Sequence, residues 1–307
     1  MILCCGEALI DMLPGATRIG EDAYVPHVGG AVFNTTIGLG RLGVRTGFFS
    51  GLSDDLFGQK LSAALEASGV DLSLVRYSSR PTTLAFVHLE QGDASYTFFD
   101  ENSAGRMVPE QDLPDLPPAI TALHFSCISL IPEPCGSTYE TLMRREHENR
   151  VTMLDPNIRS AFIADKERHR ARLRRMISMA DIVKLSDEDL AWFEESGTGD
   201  EIAMRWLNMG PKLVVLTRGA QGAVAYSAIA RVEVAAPRAD VVDTVGAGDA
   251  FNAALLAALS DRNLLSKHAL ATISPDQLQE VLEFAARIAA ITVSRSGANP
   301  PWRDELS

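Results

Sequence analysis

Short apolar runs separated by helix-length stretches fill most of this chain, and that alternation restricts its folds more than any other property. The runs fall at 2–5, 9–13, 45–51, 121–126, 151–155, 181–185, 212–217 and 222–226. Each is strand-sized and bounded by turn residues. Helical periodicity occupies 31–42, 55–68, 135–148, 167–178, 187–195, 200–208, 247–260 and 275–293. Strand-then-helix repetition predicts an α/β fold: a central, mostly parallel sheet flanked by helices, with ligands beyond the carboxyl ends of the strands. A single domain spanning 1–307, with 46% hydrophobic residues, can bury a substantial core.

Two segments break the rhythm. Residues 13–28, "LPGATRIGEDAYVPHV", and 81–100, "PTTLAFVHLEQGDASYTFFD", read as β-ribbons. The second carries "EQGD" as a hairpin turn between period-2 stretches. Both are read as a small β-sheet lid over one end of the main layer, with edge decoration of the large sheet as the alternative. The proline-punctuated stretch "PEQDLPDLPPAI" at 109–120 is a connector, not a domain boundary.

A formal net charge of −12 argues against sequence-independent nucleic-acid binding, which needs a basic face. Small phosphate ligands stay open, because backbone amides and Mg2+ bind anions locally. No apolar run reaches the length of a membrane span, and "MILCCGEALID" lacks the basic start of a signal peptide. A soluble, cytoplasmic protein is expected, with no nucleic-acid or membrane partner. Cys4, Cys5, Cys127 and Cys135 form no CxxC pair or Cys/His cluster, which favours buried, reduced thiols over zinc or disulfides.

Two glycine motifs need separate treatment. "GLGRLG" at 38–43 matches the dinucleotide fingerprint, but that motif requires a strand before it and a helix after it. Here the helical "AVFNTTIGLGRL" precedes and the strand-like "VRTGFFSG" follows. Gly43 therefore reads as a helix C-cap, and Gly38 and Gly40 as sites of close helix packing. An NAD-dependent dehydrogenase fails on that context, and the lack of a Walker A sequence excludes a P-loop enzyme.

"DTVGAGDAF" at 243–251 stands the right way round, with extended chain before it and the helical "AFNAALLAAL" after it. Gly246, Ala247 and Gly248 would present successive amides at a helix N-terminus, where the dipole favours an anion. Asp249, in the first turn, is placed to accept a proton from an attacking hydroxyl, and the helix end is expected to keep it ionised. A plain helix-start carboxylate after a tight turn is the alternative. Gly29 and Gly30 precede another helix, with Asn34 one turn inside; its amide can donate to and accept from sugar hydroxyls. Asn34 as a cap-region structural residue is the other choice. Asp11, at the end of a strand run, can accept hydroxyl protons from the same ligand.

Together these segments resemble the paired signatures of the ribokinase-type (PfkB) carbohydrate kinases, and the resemblance extends from "GEALID" to "SGANPPWRDEL". It implies a ribokinase-like fold with a β-lid, Asp249 as catalytic aspartate, an anion hole at Gly246, Ala247 and Gly248, and a sugar site at Asp11, Gly29, Gly30 and Asn34. "TTLAFVHLEQGDASYTFF", "LHFSCISLIPEP", "DPNIR" and "KLSDEDL" are similar to bacterial fructokinases. In "DPNIR", Arg159 can clamp a phosphate and Asn157 can orient Mg2+, although Asp-Pro-Asn also marks ordinary turns. "VLTRGAQGA" resembles the family's nucleotide-binding turn, which assigns Thr217 and Gly219 to ATP. The family often has Asn-x-x-Glu where "KLSDEDL" offers Ser186 and Asp189. Asp189 is thus a magnesium residue through water, or one of a solvated acid cluster. In some relatives the residue matching Asp243 helps bind a monovalent cation, so K+ is a further implied ion.

The resulting expectation is ATP- and Mg2+-dependent phosphorylation of D-fructose to fructose 6-phosphate. The alternatives are 2-keto-3-deoxygluconate kinase, which would need a cation such as Arg106 or Arg80 for the substrate carboxylate, ribokinase, and a catalytically silent sugar-binding protein. Ribbons such as 81–100 can also pair across a homodimer through the lid.

Overall fold

The computed structural model describes residues 1–90 and 93–306. Strand β1 (Ile2–Cys5) is wholly buried. The chain then makes a long hairpin, β2 (Leu9–Ala16) and β3 (Asp22–Gly29), and continues through helix α1 (Ala31–Arg41) to β4 (Thr46–Phe49). Next come β5 (Gly51–Ser53), α2 (Leu56–Ala67), β6 (Arg76–Ser78) and a second hairpin, β7 (Leu84–Glu90) and β8 (Asp93–Phe99). The expected alternation sets in with β9 (Ala122–Ser126), α3 (Cys135–Glu146), β10 (Val151–Asp155), α4 (Lys166–Met179) and β11 (Ile182–Ser186). It continues through α5 (Asp187–Trp192), α6 (Gly199–Leu207) and β12 (Leu213–Thr217). Strands β13 (Ala223–Ser227) and β14 (Arg231–Val234) turn back before α7 (Ala247–Asp261), α8 (Lys267–Ala271) and α9 (Pro275–Val293).

The large sheet has the order β14-β13-β12-β11-β10-β9-β1-β4. Pairing is parallel from β4 to β12, and only the β12–β13 and β13–β14 pairs are antiparallel. The connection order reverses at β1, which lies between β4 and β9; this is the switch point where α/β sheets open a crevice for ligands. Because side chains alternate, Ile2 and Cys4 enter one core with α1, α7 and α9, while Leu3 and Cys5 enter the other with α3, α4 and α6. All four cysteines are buried and free.

Helix α7 is buried on all sides from Asp249 to Leu259, as its Ala- and Leu-rich sequence allows. It packs closely on α1. A Cβ on Gly38 would lie 2.7 Å from the Ala253 Cβ, and one on Gly40 would lie 2.1 Å from the Ser68 carbonyl oxygen. The run that mimics a dinucleotide fingerprint is therefore a packing device. Among the described residues, no helix is long and apolar enough to cross a membrane.

A separate four-stranded sheet, ordered β3-β2-β7-β8, is built from the two irregular segments. It is not an edge of the large sheet. The run expected as a strand over 9–13 and the ribbon expected over 13–28 turn out to be one hairpin, because β2 starts at Leu9 and pairs with β3 along its whole length. Of the "EQGD" turn, Gln91 and Gly92 lie outside the described residues; Glu90 and Asp93 pair beside it. Tyr24, Phe86 and Phe99 form an edge-to-face row on one surface of this sheet, with ring centroids 4.9 and 5.5 Å apart. Phe98 points the other way and meets Phe162 at 4.3 Å.

The run read as one strand over 45–51 divides at Ser50, and its second part, β5, pairs with β6 instead of the large sheet. Strand β14 gave little signal because its exposed positions are Arg231 and Glu233.

Helix α1 begins at Gly30 without a side-chain cap of its own. Its free amides are met from the β1–β2 turn. The Val32 amide donates to Glu7 Oε1 at 3.2 Å, the Phe33 amide to the Glu7 carbonyl at 3.2 Å, and the Ser129 amide to Glu7 Oε2 at 3.3 Å. Glu7→Ala orphans two buried donors, and we expect a loss of about 2–4 kcal/mol, measured by urea denaturation; Glu7→Gln keeps an acceptor and should lose less.

Candidate active site

The bend that enters α7 can be made only with glycine. Gly246 has φ 76°, and a Cβ there would lie 2.5 Å from the Ala298 Cβ. Its amide and those of Gly248 and Asp249 have no acceptor among the described residues, whereas the Ala247 amide donates to the Thr244 carbonyl at 3.3 Å. The free donor set is thus Gly246, Gly248 and Asp249, shifted from the expected run of 246–248 because the preceding turn already uses one amide.

Asp249 is 8% exposed, and its Oδ2 accepts from Asn34 Nδ2 at 2.9 Å. The Thr35 hydroxyl donates to the Asp249 backbone carbonyl at 3.3 Å, tying the two helix starts together. Burial pushes the Asp249 carboxyl up to about 7; Asp155 adds to the rise, while Asn34, Lys184 and Arg159 oppose it. The helix end was expected to keep this group ionised as an ordinary carboxylate, but desolvation outweighs it. Asn34, read from the sequence as a sugar ligand, has its amide nitrogen on Asp249.

Asp11 lies on β2 opposite His27 of β3, and burial raises its carboxyl to about 6. A Cβ on Gly29 would lie 2.1 Å from Asp11 Oδ2, so this glycine makes room for the carboxylate. Gly30, at φ 107°, lies against the Glu7 carbonyl, 3.0 Å from where its Cβ would be.

The remaining residues cluster at the carboxyl ends of β10, β11 and β12. Asn157 adopts φ 40°, and its amide donates to Asp155 Oδ1 at 3.2 Å. Arg159 projects from the same loop, with its own-chain Ile158 carbonyl as hydrogen-bond acceptor at 3.0 Å. Desolvation lowers the Arg159 pKa, but Cys127, Asp249, Asp189 and Asp155 more than offset it and hold it above its usual value. Thr217, whose hydroxyl is 3.4 Å from the Leu185 carbonyl, ends β12, and Gly219 follows at φ 52° facing open space.

Asp189 does not belong to a solvated acid cluster. It is 7% exposed, closes a capping box with Ser186, and accepts from the Ile158 amide at 2.6 Å. Asp243 accepts from the Val245 amide at 3.0 Å and the Gly297 amide at 2.9 Å. Among the described residues, no group of three or more His, Cys, Asp or Glu side chains is gathered to hold a metal. The carboxylates of Asp155 and Asp189 are already taken up by protein donors. Such a donor set does not make a protein cage for Mg2+, an ion that often keeps its waters and binds through phosphate oxygens.

Sequence reasoning passed over Glu7, Lys184 and Asn252. Lys184 did leave a signal, as a lone cation within the apolar strand "DIVKLS".

The chain matches the family described as "pfkB family carbohydrate kinase" over residues 1–305. It is 54% identical over 279 residues to a fructokinase from Rhizobium leguminosarum bv. trifolii, covering 91% of this chain and 86% of that one. A crystal structure of fructokinase with bound ATP from Xylella fastidiosa aligns with a TM-score of 0.90 at 28% identity, covering 99% of this chain and 96% of that one. Aminoimidazole riboside kinase from Salmonella enterica, complexed with aminoimidazole riboside and an ATP analogue, aligns with a TM-score of 0.84 at 26% identity, covering 99% and 97%.

Proposed function

Because this chain belongs to the pfkB family of carbohydrate kinases and is an ATP-dependent sugar kinase, we propose that its acceptor is D-fructose, phosphorylated on the primary 6-hydroxyl with Asp249 as general base. The observation that carries this reading is the buried Asp249 carboxylate held by Asn34 at 2.9 Å, at the mouth of a bend with three unengaged amides. The relative at 54% identity is a fructokinase, which favours fructose over the other sugars.

In this reading Asp11 holds sugar hydroxyls, and the small sheet covers the sugar so that water does not compete for the phosphoryl group. Asn34 fixes the carboxylate. The attacking oxygen loses its proton to Asp249 as the bond to phosphorus forms. The amides of Gly246, Gly248 and Asp249 meet the charge gathering on the phosphoryl oxygens, and Arg159 meets it from the opposite side. Thr217, Gly219 and Asn157 line the nucleotide side. When bound, Mg2+ would supply charge neutralisation on the nucleotide phosphates, and Asp189 would act on it through a water. Asp243 is the group we assign to a K+ site.

The test is ADP release with fructose, ribose, 2-keto-3-deoxygluconate and glucose, with and without K+. Fructose should give the highest kcat/KM, and no sugar-stimulated turnover at all would leave a silent binding protein. The 2-keto-3-deoxygluconate reading is weaker because, of its two candidate cations, Arg106 is paired with Asp100 at 3.2 Å and donates to the Glu133 carbonyl, and Arg80 is exposed. Gly29→Ala should raise the fructose KM by about tenfold, roughly one hydrogen bond to a charged group, and leave the ATP KM unchanged. The row Tyr24, Phe86 and Phe99 is the face through which two copies would pair, read by sedimentation.

A further inference from the structure

Lys184 is a buried charge to which the mechanism above gives no part. Its side chain is 5% exposed, and Nζ lies 3.1 Å from Asp155 Oδ2. Asp155, fully buried, also accepts from Asn252 Nδ2 of α7 at 2.6 Å. The ammonium lies directly beneath the bend, since a Cβ on Gly248 would be 3.2 Å from Nζ. Desolvation lowers the Lys184 pKa, and Asp155, Asp189 and Asp249 more than offset it, so the side chain is a cation. A buried ion pair seldom stabilises a core more than well-packed apolar side chains would. Its place under the bend, between Asp155 and Asp249, calls for another explanation.

We propose that Lys184 is a positioning residue for phosphoryl transfer: a fixed cation behind Gly248 that keeps the Asp249 carboxylate available as a base and adds positive charge behind the amide donors. This rests on the reading of Asp249 as the base. The groups facing Asp249 are Asn34 and Thr35 from α1, Asp155 from β10, Lys184 from β11, Arg159 from the loop after β10 and Cys127 from the loop after β9. His124 of β9 also feels Lys184; burial first, and that cation second, push it down to about 3, so it is neutral at working pH. Lys184 and Arg159 are the two cations of the set. Removing Lys184 leaves Asp155 without its ion-pair partner beside the base, with Arg159 the remaining cation.

The experiment follows the pH profile of kcat at saturating sugar and ATP for Lys184→Met, Asp155→Asn, the double variant and Asp249→Asn. Lys184→Met should lower kcat at neutral pH about fivefold and move the acid limb up by about one pH unit, leaving the sugar KM little changed. Asp155→Asn should move the limb down, and the double variant should return it toward the parent. A purely structural pair would change the folded fraction without moving the limb in opposite directions. If Lys184→Met does not fold, the comparison is the double variant against Asp155→Asn, in which the limb should still lie higher without the lysine. Unmoved limbs in folded variants, with Asp249→Asn inactive, overturn the proposal for Lys184. Near-normal turnover by Asp249→Asn would instead overturn the base assignment beneath it.

Discussion

Asp249→Asn is expected to lower kcat by about 10²–10⁴-fold, the range that a positioned general base supplies. The sugar and ATP dissociation constants should stay within a few-fold of the parent, because asparagine keeps the shape and can still accept from Asn34. Calorimetric titration of both ligands beside steady-state turnover checks this. The same carboxyl fixes the pH dependence. Its pKa is pushed up to about 7 by burial, and only the ionised form accepts a proton. Turnover should therefore rise with pH through neutrality and level off above it. Below the pKa it should fall tenfold per unit. A profile flat down to pH 5, in the range of an exposed aspartate, would show that another group takes the proton.

The second large effect is expected from Gly246→Ala. The methyl group meets Ala298 on a left-handed backbone at φ 76°, so the bend must open and its amides turn away. Loss of one such donor costs about 10²–10³ in kcat. The sugar KM should change little, since Asp11 lies on another element. Gly69→Ala is the control. Gly69 also has a left-handed φ, of 73°, but faces open space. It should lose about 1 kcal/mol of stability and no turnover. Equal losses of kcat in the two variants would mean that the bend is not where phosphoryl charge is met.

The α/β class was legible because apolar period and turn residues are local signals, and the bend before α7 because glycine at a helix start is one too. What stayed hidden was contact between distant parts of the chain. The Asn34–Asp249 hydrogen bond joins residues 215 apart, so the sequence offered the amide to a sugar and the carboxylate to an attacking hydroxyl, and not the two to each other. The raised pKa of Asp249 comes from burying the start of α7 against α1 and α9, with Asp155 of the sheet nearby, which no local pattern encodes. Strand β2 looked like its neighbours, yet its partners are β3 and β7. The Ala247 amide is engaged by the Thr244 carbonyl, a turn bond that the motif alone does not show. Lys184 was visible but had no partner until Asp155 and Gly248 were placed around it.

The packing of Gly38 on Ala253 has a mechanical consequence. Asn34 and Gly38 are one turn apart on α1, and Asp249 and Ala253 are one turn apart on α7, so the two contacts form successive rungs between the same helices. The bare glycine sets the gauge of that ladder, and a methyl group there would wedge its lower rung and stretch the upper one. Residues far from any ligand thereby calibrate the distance between the acceptor and donor halves of the cleft.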